Sequence, residues 1–253
     1  MGQPESGASE QPECSAVGRH IWWGADAESA RSIIIFADYI AAAVIANNSF
    51  ANACLVHELA HVHDDFLRGV VMGFRGSHMA PSVNDWPGIC AYFAEITWSE
   101  YAAETVGARH NTSEGLLSLM RNDPVHLSGI DQRLRQTVSN YKCRQLALGS
   151  LWQNAVTEMG DIFGNLGRAV ARLALAPDYD EALAFLARPR NESLTWKPVV
   201  ERLVRELEQL GNKAYADWGA APFCGIQEVI AEGFHAVGLF PVQQGNDLHV
   251  SVV

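Results

Sequence analysis

The chain has 253 residues, 48% of them hydrophobic and 19% charged, and a formal net charge of −11. A chain of this length buries a core without help from disulfides, and its composition is that of a folded globular protein. The acidic balance and the absence of any dense Lys/Arg run exclude a general nucleic-acid binder, because phosphate contacts need clustered cations.

Residues 1–18 are rich in Gly, Ser, Pro, Glu and Gln and read as a flexible N-terminal tail. They lack the basic segment followed by an apolar run that a secretory signal requires. The most apolar run, 33–45, is interrupted by Asp38 and is too short to span a bilayer. Cys14, Cys54, Cys90, Cys143 and Cys224 are odd in number and show no CxxC spacing, so neither a disulfide framework nor a thiolate metal site is expected. A reducing compartment and a soluble cytoplasmic protein without a membrane partner follow as expectations.

The folded part begins near Ile21-Trp22-Trp23. Three isoleucines and a phenylalanine within 31–36 predict a buried strand. The alanine-rich stretch 38–46 predicts a short helix that ends at Asn47-Asn48-Ser49, whose side chains supply turn and N-cap chemistry for the next helix. That helix should run from about 50 to 67, with Gly69 as its left-handed C-cap.

In its middle stands His57-Glu58-Leu59-Ala60-His61, the HExxH pattern. Side chains four apart on a helix lie nearly above one another, so both imidazoles project from one face toward one spot, as a tetrahedral zinc ion requires. Glu58 lies roughly 60° further round than His61, within reach of a metal-bound water and badly placed to ligate. Leu55, Leu59, Val62 and Phe66 form an apolar stripe opposite the histidines, which predicts that this stripe faces the core. His63 points elsewhere and suits a surface role. Asp64 and Asp65, one turn beyond His61, suit a histidine-orienting carboxylate, a partner for an arginine, or plain helix-end charges, the last being preferred. The plainer reading of the whole motif is two helical histidines that bond only to their neighbours.

Residues 69–88 contain several glycines and prolines and predict a long irregular connection, which either shapes a cleft or is a surface excursion. Residues 90–110 predict a helix on which Glu100 and Glu104 share a face, flanked by Phe93, Ile96, Thr97, Ala103 and Gly107. Small residues at 103 and 107 would let another helix come close.

Over roughly 31–110 this combination resembles the gluzincin branch of the zincin metallopeptidases, in which HExxH supplies two histidines and a glutamate from a later helix completes the site. In thermolysin-like members a carboxylate four residues after that glutamate orients a ligand histidine; Glu100-Tyr-Ala-Ala-Glu104 has that spacing, with Glu in place of Asp. The pattern is also similar to the intracellular zinc peptidases associated with phage and stress regulators. Metzincins are disfavoured, because Asp64 occupies the glycine position of their longer motif. The resemblance implies one Zn²⁺ held by His57, His61 and Glu100, with Glu104 behind a ligand histidine and Glu58 as general base; Glu104 as the third ligand stays open, as does a plain solvated acidic face. It implies hydrolysis of a peptide or protein substrate. Tyr101, His78 and His110 are candidates for stabilising the oxyanion by residue type alone. The alternative within the same fold is a regulatory or protein-binding module with little proteolytic activity, and a further one is an all-helical interaction protein in which the motif is coincidental.

Beyond residue 110 no comparable chemical pattern occurs. Residues 131–176 predict one long or two consecutive helices, in which Gly160, Gly164 and Gly167 match no phosphate-binding loop and suit close helix packing. Further helices are predicted over 180–187, 198–216 and 222–236, and a hairpin over 238–253 around Gly245-Asn246-Asp247. His235 and His249 read as structural or exposed. The predicted fold is α+β and predominantly helical: a tail at 1–18, a zincin-like metal-binding core with a small sheet at 19–125, and a mainly helical region at 126–253 packed on it.

Overall fold

The β-branched run at 31–36 forms β2 (Arg31–Phe36), which pairs antiparallel with β1 (Gly18–Trp23) so that Gly18 faces Phe36 and Trp23 faces Arg31. The computed structural model describes residues 18–23, 26, 28–29, 31–73, 80–176 and 196–253. The tail at 1–17 and the helix predicted at 180–187 therefore lie outside the described residues, as does 74–79 of the predicted connection. β2 is not a buried strand. A two-stranded ribbon covers neither face completely, and Ile33 and Ile35 stay exposed.

Helix α1 (Asp38–Ile45) follows, then a turn in which Asn47 takes a positive φ of 57°. Helix α2 (Ser49–Met72) is capped by the Asn48 side chain, which accepts from the Ala51 N–H at 3.1 Å. The helix runs a turn beyond the predicted end. Gly69 is buried within it, and the stop comes at Gly73, whose φ of 89° is open to glycine and strained for other residues. The irregular connection is correspondingly shorter, because α3 (Trp86–Gly107) already starts at 86, with the Asp85 carboxylate accepting from the Gly88 N–H and a proline in the first turn.

A 3₁₀ turn (Ala108–His110) leads to α4 (Ser113–Lys142), which Thr112 caps, and α5 (Leu148–Leu173) follows. The predicted 131–176 stretch is thus two helices, the first starting well before 131. The proposed boundary between 125 and 126 falls inside α4. Helices α6 (Trp196–Gly211) and α7 (Cys224–Ala236) and the hairpin β3 (Leu239–Gln244) with β4 (Asp247–Val252) complete the chain, Gly245 turning the hairpin with a φ of 61°. The described architecture is predominantly helical with two small antiparallel sheets. No single described helix is long and apolar enough to cross a membrane.

One apolar core joins α3, α4, α5, α6, α7 and β3. Phe93, Leu134, Leu151, Phe163, Leu166, Leu207, Phe234 and Leu239 meet there, and Trp98 stacks edge-on against Trp218. Helices α3 and α5 cross closely because Gly167 lies against the Thr97 carbonyl and Gly160 against the Phe93 ring; a Cβ at 167 would stand only 2.4 Å from that oxygen.

Helix α2 packs on the other side of α3, and it does so with the face opposite to the one predicted. Leu59 is 50% exposed, Phe66 40% and Val70 59%. The side turned to α3 carries small and polar residues instead: Ala53, His57, His61, Asp64 and Arg68. The reason is that each of these polar groups has a partner across the interface or beside it. Asp64 alone accepts from Arg68 Nε at 2.8 Å, Trp98 Nε1 at 2.8 Å and Tyr215 Oη at 2.5 Å, while Arg68 also pairs with Asp65. Asp64 and Asp65 are partners of an arginine, not helix-end charges.

The glycine crossing yields a paired test. Gly167→Ala should lower the unfolding free energy by about 1–3 kcal/mol through forced separation of α3 and α5. Gly129→Ala, on an α4 face with nothing near the added methyl, should raise it by about 0.5–1 kcal/mol. Urea unfolding of both proteins measures the difference.

Candidate metal centre

The α2 stripe brings His57 and His61 onto α3 at the level of Ser99, Glu100 and Glu104. Close approach is possible because Gly107 has no side chain: a Cβ there would lie 2.8 Å from His57 Cβ and 3.1 Å from the Ala53 carbonyl. The small residue at 107 is thus what seats the first histidine against α3.

Both Nδ1 atoms point at neighbours. His61 Nδ1 hydrogen-bonds with Ser99 Oγ at 2.8 Å, and His57 Nδ1 is in ion-pair contact with Glu104 Oε2 at 2.9 Å, without the alignment of a straight hydrogen bond. Both Nε2 atoms consequently face one another, 3.1 Å apart. Glu100 Oε2 completes a triangle, 3.4 Å from His57 Nε2 and 3.9 Å from His61 Nε2. That oxygen is buried and accepts no hydrogen bond. Among the described residues, His57, His61 and Glu100 are the group whose ligand-type atoms converge closely enough to hold a metal ion.

Behind this triangle runs a buried chain of alternating charge. Glu104 sits behind His57 rather than in the triangle, and its other oxygen accepts from Arg172 Nε at 2.7 Å. Arg172 Nη1 in turn donates to Asp123 Oδ1 at 2.6 Å. Four helices contribute: His57 from α2, Glu104 from α3, Asp123 from α4 and Arg172 from α5.

Burial alone would push His57 below the ordinary imidazole range, but Glu100 and then Glu104 outweigh it and raise the ring to about 9. Burial would raise Glu100; Arg168 and the two histidines overcome it and hold the carboxyl at about 2. Glu104 is likewise lowered against its burial, by His57 and Arg172. Glu58 goes the other way: burial raises it, Glu100 adds to the rise, and His57 and Arg168 oppose. Cys54, one turn before Glu58, is pushed up to about 11 by burial and by the charges of Glu104 and Glu58, so it stands as a neutral thiol.

Of the residues singled out for the oxyanion, the two that are described, Tyr101 and His110, do not lie in this group. The Tyr101 ring lies against Trp98 and Gly211, His110 is exposed on the 3₁₀ turn, and His78 is outside the described residues. His63, His235 and His249 are exposed, His235 stacking on Phe240. Sequence reasoning missed Ser99, Asp123, Arg168 and Arg172. A usable signal existed for the last two: two arginines four apart in the otherwise apolar NLGRAVARLALA stretch of α5 must either reach solvent or meet buried acids. Comparison with known protein families, characterised proteins and solved structures gives no match to this chain.

Arg172 balances the buried Glu104 and the partly buried Asp123, so Arg172→Met should destabilise the fold by about 3–5 kcal/mol, a cost set by the charges left unpaired rather than by lost volume. Asp123→Asn, which leaves Glu104 paired, should cost less. Denaturant midpoints of the two variants rank them, and equal midpoints would contradict this order of destabilisation.

Proposed function

We propose that the chain is a zinc-dependent peptide-bond hydrolase with a gluzincin-like, zincin-type centre in which His57, His61 and Glu100 hold one Zn²⁺. The observation that carries this reading is the triangle. Nitrogen and oxygen ligands at about 2.05 Å from a tetrahedral zinc stand about 3.3 Å from one another, and the three edges here are 3.1, 3.4 and 3.9 Å. The two ring nitrogens are at hydrogen-bonding distance, but the buried Glu100 Oε2 beside them accepts no hydrogen bond. A cation among the three atoms would satisfy it. The contacts at both Nδ1 atoms fit too, since a ligating imidazole ordinarily has its second nitrogen held by a carboxylate or hydroxyl that fixes the ring. Glu104 and Ser99 take that part.

A zinc ion at this position supplies Lewis acidity, which brings a water near it toward neutral pKa and polarises a carbonyl. The remaining work belongs to the chain. Glu58 follows His57 on the same helix, and the charges of His57, Glu100 and Arg168 act on its carboxylate. Its raised pKa makes it a stronger base than a free glutamate. It accepts the proton of the attacking water and returns that proton to the leaving amine. The substrate is a peptide or protein segment.

Metal analysis of protein purified without added zinc should find about one equivalent, and His57→Ala should lose it. Glu58→Gln should keep the metal and lose about 10²–10⁴-fold in peptide hydrolysis. Absence of metal from the unaltered protein refutes the ligand assignment. Metal without hydrolysis in the unaltered protein favours a binding module instead.

A further inference from the structure

We propose that Arg168 is the residue that receives the negative charge developing on the scissile carbonyl oxygen, an inference that rests on the zinc-hydrolase reading above. Helix α5 presents two arginines four apart, and they have different fates. Arg172 is 8% exposed and bonded on both sides to Glu104 and Asp123. Arg168 is 36% exposed, and its Nη1 stands 3.6 Å from Glu100 Oε2, the very oxygen that closes the triangle with the two histidines. Its Nη2 donates to Asn165 Oδ1 at 2.8 Å, which fixes the fork one turn back along the helix. A guanidinium carries five N–H donors, so donors remain after that bond, and 3.6 Å to Glu100 is an ion-pair distance rather than a hydrogen bond.

The charge balance favours such a group. Glu100 and Glu104 both lie against His57, and their charges repel an oxyanion formed beside them unless a cation faces it. Arg168 acts on Glu58 and Glu100 alike. An ion held by His57, His61 and Glu100 would take up the Glu100 charge, which would leave the Arg168 donors for a carbonyl oxygen bound at that ion. The backbone of α5 comes up to Glu100 at Gly164, where an added Cβ would lie 3.5 Å from Ile96 Cγ2 and 4.0 Å from Glu100 Cγ, so α5 packs against the Glu100 side chain and carries Arg168 one turn further along.

In the step itself, the water oxygen forms a bond to the carbonyl carbon, its proton passes to Glu58, and the carbonyl π pair moves onto the oxygen, where Arg168 donates. Collapse then breaks the C–N bond, with the proton going from Glu58 to the nitrogen.

The test uses the full chain loaded with Co²⁺, whose visible spectrum reports ligation, titrated with inorganic phosphate as a tetrahedral oxyanion. Arg168→Ala should retain one equivalent of metal and the unaltered melting temperature while binding phosphate at least tenfold more weakly, with Arg168→Lys in between because it keeps the charge and loses the fork. Phosphate affinity unchanged in Arg168→Ala, no phosphate response in the loaded unaltered chain, or loss of metal from both variants, which would make Arg168 only a counter-ion to Glu100, overturns the proposal. Failure of the unaltered chain to take up Co²⁺ or Zn²⁺ overturns the zinc reading itself, and this inference with it.

Discussion

Four ionisable side chains held largely out of solvent, His57, Glu104, Arg172 and Asp123, are strung across four helices, and the arrangement of the molecule around them follows from keeping that string complete. Each member is acceptable in the interior only because the next is there; desolvating any one of them alone costs several kcal/mol. The string decides which helices must be neighbours: α2 against α3, α3 against α5, α5 against α4. It also decides which way α2 faces. A helix with Leu59, Phe66 and Val70 on one side and histidines on the other would ordinarily bury the apolar side, yet here the polar side wins because every group on it finds a partner.

Glycines make the close crossings that the string needs. Gly107 lets His57 lie on α3, and Gly167 lets α5 come down on the Thr97 carbonyl, which brings the arginines of α5 to the level of Glu100 and Glu104. A second polar anchor, Asp64 with Trp98, Tyr215 and Arg68, pins the far part of α2 to the aromatic cluster of Trp98, Trp218 and Phe223. The triangle thus sits between two fixed points on α2, and its three ligand-type atoms are held by rigid helices rather than by loops.

The sequence made the local features readable and the long-range ones not. Four-residue spacing put His57 over His61 and Glu100 over Glu104 without any knowledge of the fold, and Gly245-Asn246 marked the final hairpin. The short helix at 38 and the strand at 31 followed from composition. What periodicity cannot say is which face of an amphipathic helix is covered, since that depends on partners distant in the chain; the apolar stripe of α2 was accordingly assigned to the wrong side. The end of α2 was misplaced for a related reason: Gly69 has the residue type of a cap, but it is buried in a continuous helix, and the next glycine does the capping. The spacing of Arg168 and Arg172 in an apolar stretch says that they need partners but not which ones, because their acids lie on other helices, 68 residues away in the case of Glu104.

That separation has a consequence for how the molecule is made. All three residues of the triangle and Glu58 are contained in the first 100 positions, and Glu104 follows one turn later, but the guanidinium that balances Glu104 arrives with α5. During synthesis the α2–α3 pair is complete well before Arg172 has been added, and until then Glu104 has only His57 for company. The face that carries His57, His61 and Glu100 is therefore translated early, and the Glu104 behind it is balanced only when α4 and α5 dock.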